Sequence, residues 1–219
     1  MHLPSLTVVV PVYNEEDNVL PLFEALDSAL KTYAGDWHVI IANDGSRDTT
    51  AQKINACLPD FGERYKHIEL QRNFGQTAAM QAGIDAAETE LIATMDGDLQ
   101  NDPADIPRLV EELLEKDLDL LQGWRKNRQD AAVSRKLPSR IANKLIQRVS
   151  GVKLDDYGCS LKVYRADVLK QIRLYGEMHR FIPVWMATVC PPHRIGQTVV
   201  NHRARVAGES KYGITRTFR

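Results

Sequence analysis

LIATMDGDLQNDP (residues 91–103) sets an apolar run against a cluster of oxygen-bearing side chains. The run LIATM (91–95) has the length of a buried strand and no helical period. Asp96, Asp98 and Gln100 follow at i, i+2 and i+4, positions that project to one side if the chain stays extended. Oxygen donors at the carboxyl end of a strand suit a hard divalent cation, Mg²⁺ or Mn²⁺, better than Zn²⁺. The plainer reading is an exposed acidic turn, since DGDLQNDP is rich in turn formers. The flanking sequence has to decide between the two.

Outward from this stretch, strand-like and helix-like patterns alternate. LTVVVPV (6–12) is a buried-strand run, and NEEDN then opens a helix. That helix has acids in its first turn and an apolar period through Val19, Leu22, Phe23, Leu26 and Leu30. WHVIIAND (37–44) is a second strand, and GSRDTT starts the next helix with Asp48 or Thr49 as its cap. HIEL (67–70) precedes a helix over 76–87, LIATMD precedes a helix over Asp105–Lys116, and LDLLQG (118–123) makes a fifth strand. Such alternation predicts an α/β fold, a mostly parallel sheet with helices on both faces. The loops PVYNEE, NDGSRD, RNFGQT, DGDLQNDP and GWRKNR then share the carboxyl edge, where functional groups of such sheets gather. Neither GxGxxG nor GxxxxGK[ST] occurs, so dinucleotide and P-loop readings have no support.

The bulk numbers suit one domain, residues 1–219, with 43% hydrophobic residues and a net charge of −1. Charge is segregated. Residues 85–119 carry twelve acidic and two basic side chains, and residues 125–148 carry eight basic and one acidic. From Arg194 to the end there are six basic residues against Glu209 alone. Basic blocks beside an acidic metal candidate suit polyanions held next to a cation, although charge blocks also serve as solvated faces. Cys57, Cys159 and Cys190 are odd in number and lack a CxxC, as expected in a reducing compartment without zinc or a disulfide framework. MHLPSLTVVV lacks the basic region and cleavage site of a signal peptide, and no apolar run approaches the ~18–20 residues of a membrane span. A soluble chain is the expectation.

Six segments, in order from about residue 6 to 217, together carry a resemblance: PVYNEEDNV, the NDGS of NDGSRD, RNFGQTAAMQAG, DGDLQNDP, DYGCSLKVYR and HRARVAGESKYG. They resemble family-2 glycosyltransferases, nearest to the branch that acts on polyprenyl phosphates. The resemblance implies a GT-A fold, a nucleotide-sugar donor and a Mg²⁺ or Mn²⁺ cofactor. Many members continue into C-terminal membrane helices, so the chain reads either as a shortened form or as a naturally soluble member. Asp98 and Gln100 would ligate the metal, with Asp96 beside them at the metal or the donor ribose. Pro11, Tyr13, Glu15 and Asp44 would surround the nucleotide, and Gln76 would also serve the donor. Arg205 and Lys211 would close over the diphosphate, with Gly208 permitting the hinge. The plainer alternatives are charge at a helix start for Glu15 and Glu16 and a bare turn for Asp44-Gly45-Ser46, but position on the functional edge favours the site.

Arg125, Ser139 and Arg140 are the candidates for the acceptor phosphate, because a guanidinium fork and a hydroxyl both donate to phosphate oxygens. Ser139 and Arg140 read alternatively as ordinary polar helix positions. Asp156 is the remaining catalytic candidate beside Asp96, Asp98 and Arg125. A phosphate acceptor is already ionised at neutral pH, so Asp156 would orient a substrate rather than remove a proton, or simply cap or pair an ion.

The implied reaction is inverting transfer from a nucleotide-sugar to a polyprenyl phosphate such as undecaprenyl phosphate, with a UDP-sugar favoured and GDP-mannose as the other donor. Transfer to a sugar hydroxyl and a non-catalytic nucleotide-sugar-binding domain are the alternatives. No nucleic-acid partner is expected, and a homo-oligomer is left open. The expected location is the cytoplasmic face of the membrane. There Arg125, Lys126, Arg128, Arg135, Lys136, Arg140 and Lys144 would attract anionic headgroups. An apolar stripe through Leu137, Ile141, Leu145, Ile146 and Val149 would lie at the interface or pack on the core.

Overall fold

The computed structural model describes residues 3–126, 146–148 and 150–203. Seven strands form one sheet: β1 (Leu6–Val12), β2 (Trp37–Asn43), β3 (Tyr65–Glu69), β4 (Leu91–Thr94), β5 (Leu120–Trp124), β6 (Lys162–Arg165) and β7 (Ile195–Val199). Their order is β3-β2-β1-β4-β6-β5-β7. Every pairing is parallel except the two made by β6, which runs antiparallel between β4 and β5. The mostly parallel α/β sheet expected from the sequence is therefore present, with β6 and β7 added to the five anticipated strands.

Among the described residues four longer helices cross between strands: α1 (Val19–Leu30), α2 (Thr50–Phe61), α3 (Gln76–Ala86) and α4 (Asp105–Glu115). The strands read as continuous apolar runs because both faces are covered. Leu6, Val8, Val10 and Val12 of β1 join one core with Leu22, Phe23 and Leu26 of α1 and Leu109 of α4. Val9 points the other way, into a second core with Ile40, Met80 and Ile84 of α3, Tyr164 and Ile182. This period-2 division assigns α1, α2 and α4 to one face and α3 to the other. Gly83 lets α3 lie close on β1, since a Cβ there would meet Val9 Cγ1 at 2.3 Å.

Two sequence expectations are corrected. Helix α1 starts at Val19, not within NEEDN, and has no acid in its first turn. Asn14 takes a left-handed backbone (φ 51°), and the NEED segment is tied to the loop after β2 instead of winding into the helix. The segment after β4 is likewise not extended. The strand ends at Thr94, and Leu99 has φ 60°. Asp96, Asp98 and Gln100 are thus grouped by a turn, not by the alternation of a strand.

Among the described residues no helix is long and apolar enough to cross a membrane.

Candidate active site

The loops after β1, β2, β3, β4 and β5 meet at the carboxyl edge, and hydrogen bonds between loops set their shape. After β1 and β2, the Asn14 N–H donates to Ser46 Oγ (2.9 Å), and the Arg47 N–H donates to Asn14 Oδ1 (2.8 Å). The Glu15 N–H donates to Thr50 Oγ1 (2.9 Å). Glu16 accepts the Thr49 N–H (3.1 Å) and its hydroxyl, so its carboxylate joins the two loops rather than charging a helix start. Thr49 is the N-cap residue of α2 but makes no side-chain capping bond, and Asp48 before it accepts the Thr50 N–H at 3.0 Å.

Asp44 is buried at the end of β2 and grips the loop after β3. Its two oxygens accept the N–H groups of Phe74 (2.8 Å) and Gly75 (2.9 Å). Burial pushes its carboxyl up, against the pull of those two N–H groups. Gly45 is required at this crossing, because at φ 62° a Cβ would lie 2.4 Å from the Arg72 carbonyl carbon. Asp44-Gly45-Ser46 is more than a helix-starting turn: it locks three loops together. Pro11 lies inside β1, buried and paired with Ala42, while Tyr13 and Glu15 are half-buried at the edge.

Gln76, the first residue of α3, donates its amide N–H to Asp96 Oδ1 at 2.6 Å. The next residue, Thr77, has its hydroxyl 2.6 Å from His179 Nδ1, which ties the segment after β6 to the start of α3. Burial is the main cause that drops the His179 pKa to about 4, with Glu177 opposing and Arg180 and Lys162 assisting. The folded state therefore binds fewer protons at His179 than the unfolded chain below its ordinary pKa. The stability it supports is complete above about pH 6.5 and is lost as pH falls toward about 4. Between about pH 7 and about pH 5 the wild type should lose about 2 kcal/mol more than His179→Gln. Urea unfolding at the two pH values measures this, and equal losses would remove His179 from the account.

The metal candidates sit in a tightly built turn. Asp98 is 8% exposed, and its Oδ1 accepts the Gln100 N–H at 3.1 Å. Gly97 separates the two aspartates because a Cβ there would meet Val12 Cγ1 of β1 at 2.6 Å. Ser160 acts as a hub behind them: its Oγ accepts the Asp96 N–H (3.3 Å) and the Asn101 amide (2.7 Å). Among the described residues no three His, Cys, Asp or Glu side chains gather as a ready metal site. Two carboxylates and an amide oxygen nevertheless fit Mg²⁺ or Mn²⁺, which take few protein oxygens and complete their shell with water and substrate phosphate.

Arg125 follows β5 and forms a forked ion pair with Asp156, Nε to Oδ2 at 2.8 Å and Nη2 to Oδ1 at 2.9 Å. Both side chains are largely buried, 13% and 12% exposed. Burial lowers the pKa of Arg125, but the hydrogen bond and charge of Asp156 outweigh it and leave the group above its ordinary value. The Arg125 N–H (3.3 Å) and the Gly158 N–H (3.2 Å) also donate to Asp156, so among the described residues at least four hydrogen bonds engage its carboxylate. Gly158 leaves room for the pair: a Cβ there would lie 3.3 Å from Arg125 Nη2.

The returning chain closes the edge. Asn101 and His202 form an isolated bridge, the Arg203 N–H donates to the Gln100 carbonyl at 2.8 Å, and Arg203 pairs with Asp102. The basic HRAR segment thus starts against the turn that carries Asp98 and Gln100. Arg205, Gly208 and Lys211, together with Ser139, Arg140 and the whole of the basic segment 127–145, lie outside the described residues.

Sequence reading missed Ser160, Asn101, Lys162 and the Thr77–His179 contact. Ser160 and Lys162 lie inside the quoted DYGCSLKVYR, so the signal was present but pointed to no role.

Residues 7–173 match the family model described as Glycosyl transferase family 2. The dodecaprenyl-phosphate galacturonate synthase of Rhizobium johnstonii is 58% identical over 215 residues, covering 98% of this chain and 64% of that protein. An undecaprenyl-phosphate 4-deoxy-4-formamido-L-arabinose transferase of Pseudomonas fluorescens is 38% identical, covering 94% of this chain and 60% of that protein. The chain therefore spans just under two thirds of the length of these curated relatives. Among solved structures, glucosyl-3-phosphoglycerate synthase from Mycobacterium tuberculosis, in complex with Mn²⁺, UDP-glucose and phosphoglyceric acid, superposes with a TM-score of 0.72. At 18% identity, over 98% of this chain and 74% of that one, the likeness concerns the fold, which is that of GT-A glycosyltransferases.

Proposed function

The chain belongs to glycosyl transferase family 2, and from that premise we propose that this domain transfers a sugar from a nucleotide-sugar to a polyprenyl phosphate. The names of the two relatives, both acting on polyprenyl phosphates, support the acceptor class. One observation carries the reading on this chain: the Asp96–Asp98–Gln100 turn and the Arg125–Asp156 pair stand at one sheet edge, the first linked to the DYGCS loop through Ser160. An acidic turn for a metal and a buried guanidinium for a phosphate are the two anchors such a transfer needs.

Asp98 and Gln100, with Asp96 beside them, would hold Mg²⁺ or Mn²⁺, which neutralises the charge that builds on a departing nucleoside diphosphate. Gln76, which donates to Asp96 Oδ1, would steady that carboxylate for this role. Asp44, Tyr13 and Glu15 shape the nucleotide end of the cleft, with Pro11 beneath them. Arg125, held in plane by Asp156, faces the acceptor phosphate, and Ser139 and Arg140 add to it. Arg205 and Lys211 cover the diphosphate.

The phosphate oxygen attacks the anomeric carbon in line, the bond to the diphosphate breaks, and configuration inverts. No base is required, because the acceptor is already an anion. Asp156 suits that scheme. A carboxylate has about four lone-pair sites, and here four hydrogen bonds already engage them. It orients Arg125 and does not collect a proton. Since the acceptor is a lipid, the reaction takes place at a membrane surface, with the cytoplasmic face as the proposed location. The exposed Tyr175, Phe181 and Trp185 are consistent with an interfacial setting.

The test is to incubate the chain with Mn²⁺, undecaprenyl phosphate and a panel of UDP- and GDP-sugars that includes a uronic acid, and to weigh the lipid product. A lipid-phosphate sugar formed from one donor supports the reading. Donor hydrolysis alone, or transfer only to sugar hydroxyls, would overturn it.

A further inference from the structure

Lys162 sits in the middle of the sheet, 2% exposed, on the strand that runs antiparallel between β4 and β5. It stands opposite Thr94 on one side and Gln122 on the other, two residues before Asp96 and three before Arg125. A lysine ammonium withdrawn from water loses several kcal/mol of hydration, and an apolar side chain of similar volume would normally serve the fold as well or better. Stability alone therefore does not explain the residue.

Its surroundings suggest what does. The ammonium donates to the Cys159 carbonyl, within the turn that carries Asp156 and Ser160. Burial pulls its pKa down to about 8, while Cys159, Asp96 and Asp156 pull it up and Arg125 opposes them. The ammonium is held at the Cys159 carbonyl, on a strand whose neighbours Thr94 and Gln122 lead directly into Asp96 and Arg125, and the charges of Asp96 and Asp156 favour its protonated form. Gln122, its neighbour across the β5–β6 pair, has a buried Oε1 with no hydrogen-bond partner among the described residues, so the environment is polar but incompletely matched.

We propose that Lys162 is a built-in counter-cation of this edge, a positioning residue that anchors the Asp156 turn and offsets the charge of Asp96 and Asp156. The proposal rests on reading the edge as the metal and donor site, and it deepens that reading. With the ammonium in place, the acidic edge holds a divalent cation less tightly than its carboxylates alone would. Without it, the edge becomes more negative and the Asp156 turn loses its anchor.

The consequences separate this role from a merely structural one. Lys162→Met in the 219-residue chain should be as stable as wild type or more so. It should bind Mn²⁺, measured by calorimetry without nucleotide, about three- to tenfold more tightly, as expected for one buried charge removed from range. Its transfer rate should fall at least about tenfold because the turn that orients Arg125 is no longer held. Lys162→Arg keeps the charge and should keep the wild-type Mn²⁺ affinity. Unchanged or weaker Mn²⁺ binding by a folded Lys162→Met would overturn the proposal. So would failure of both Lys162→Met and Lys162→Gln to fold, because the charge would then serve the fold. If wild type itself binds no Mn²⁺, the metal reading of the edge falls, and the proposal falls with it.

Discussion

Asp98→Asn is expected to lower the proposed transfer by at least about two orders of magnitude while leaving the protein folded, because it would remove the charge of a carboxylate proposed to hold the metal. The substitution keeps the shape of the side chain, and its amide oxygen still accepts the Gln100 N–H that closes the turn. What changes is the charge presented to a divalent cation. Wild-type protein should gain thermal stability as Mn²⁺ is added, since a ligand that binds only the folded state stabilises it. The variant should lose most of that gain. A folded Asp98→Asn with wild-type turnover and the same Mn²⁺-induced shift would mean that Asp98 is not a ligand.

The second large effect concerns the Arg125–Asp156 pair. Arg125→Met should abolish transfer to the lipid phosphate and destabilise the fold by about 3 kcal/mol, since it strands a largely buried carboxylate. Asp156→Asn should behave differently. The amide oxygen still accepts from Arg125, and a phosphate nucleophile asks for no proton acceptor, so measurable transfer should survive. Comparing both single variants with the double variant gives the coupling energy, and a strongly non-additive result is expected for two groups acting as one unit. Complete loss of turnover in Asp156→Asn, with donor and acceptor affinities unchanged, would instead favour a base or a direct electrostatic role for Asp156. Stability and turnover have to be measured on the same preparations, so that a folding defect is not mistaken for a chemical one.

Much of this architecture was legible from short-range pattern. Continuous apolar runs such as LTVVVPV and WHVIIAND are strands because both sheet faces are covered; they appear at Leu6–Val12 as read and at Trp37–Asn43, one residue shorter than read. Their alternation with helical periods implied parallel pairing, and parallel pairing gathered the five polar loops on one edge. That step followed from topology alone and placed Tyr13, Asp44, Asp96 and Arg125 in the same region.

The tertiary structure decided the rest. Strand β6 is four residues long, too short for its periodicity to stand out, and only the space between β4 and β5 gives it a place. The turn geometry at Asn14 and Leu99 is a backbone choice enforced by hydrogen bonds to other loops, so the helix start and the extended reading of DGDLQ both shifted. Residues 31 positions apart, Arg125 and Asp156, meet because β5 and the DYGCS loop are neighbours across the sheet. Lys162 became noticeable once its burial was known, since a lysine in a short polar motif reads as a surface residue until the strand carrying it is placed at the centre. Local sequence pattern records which side of an element is apolar. Which polar groups then confront one another is settled by packing between elements far apart in the chain, and in this protein that packing makes the site.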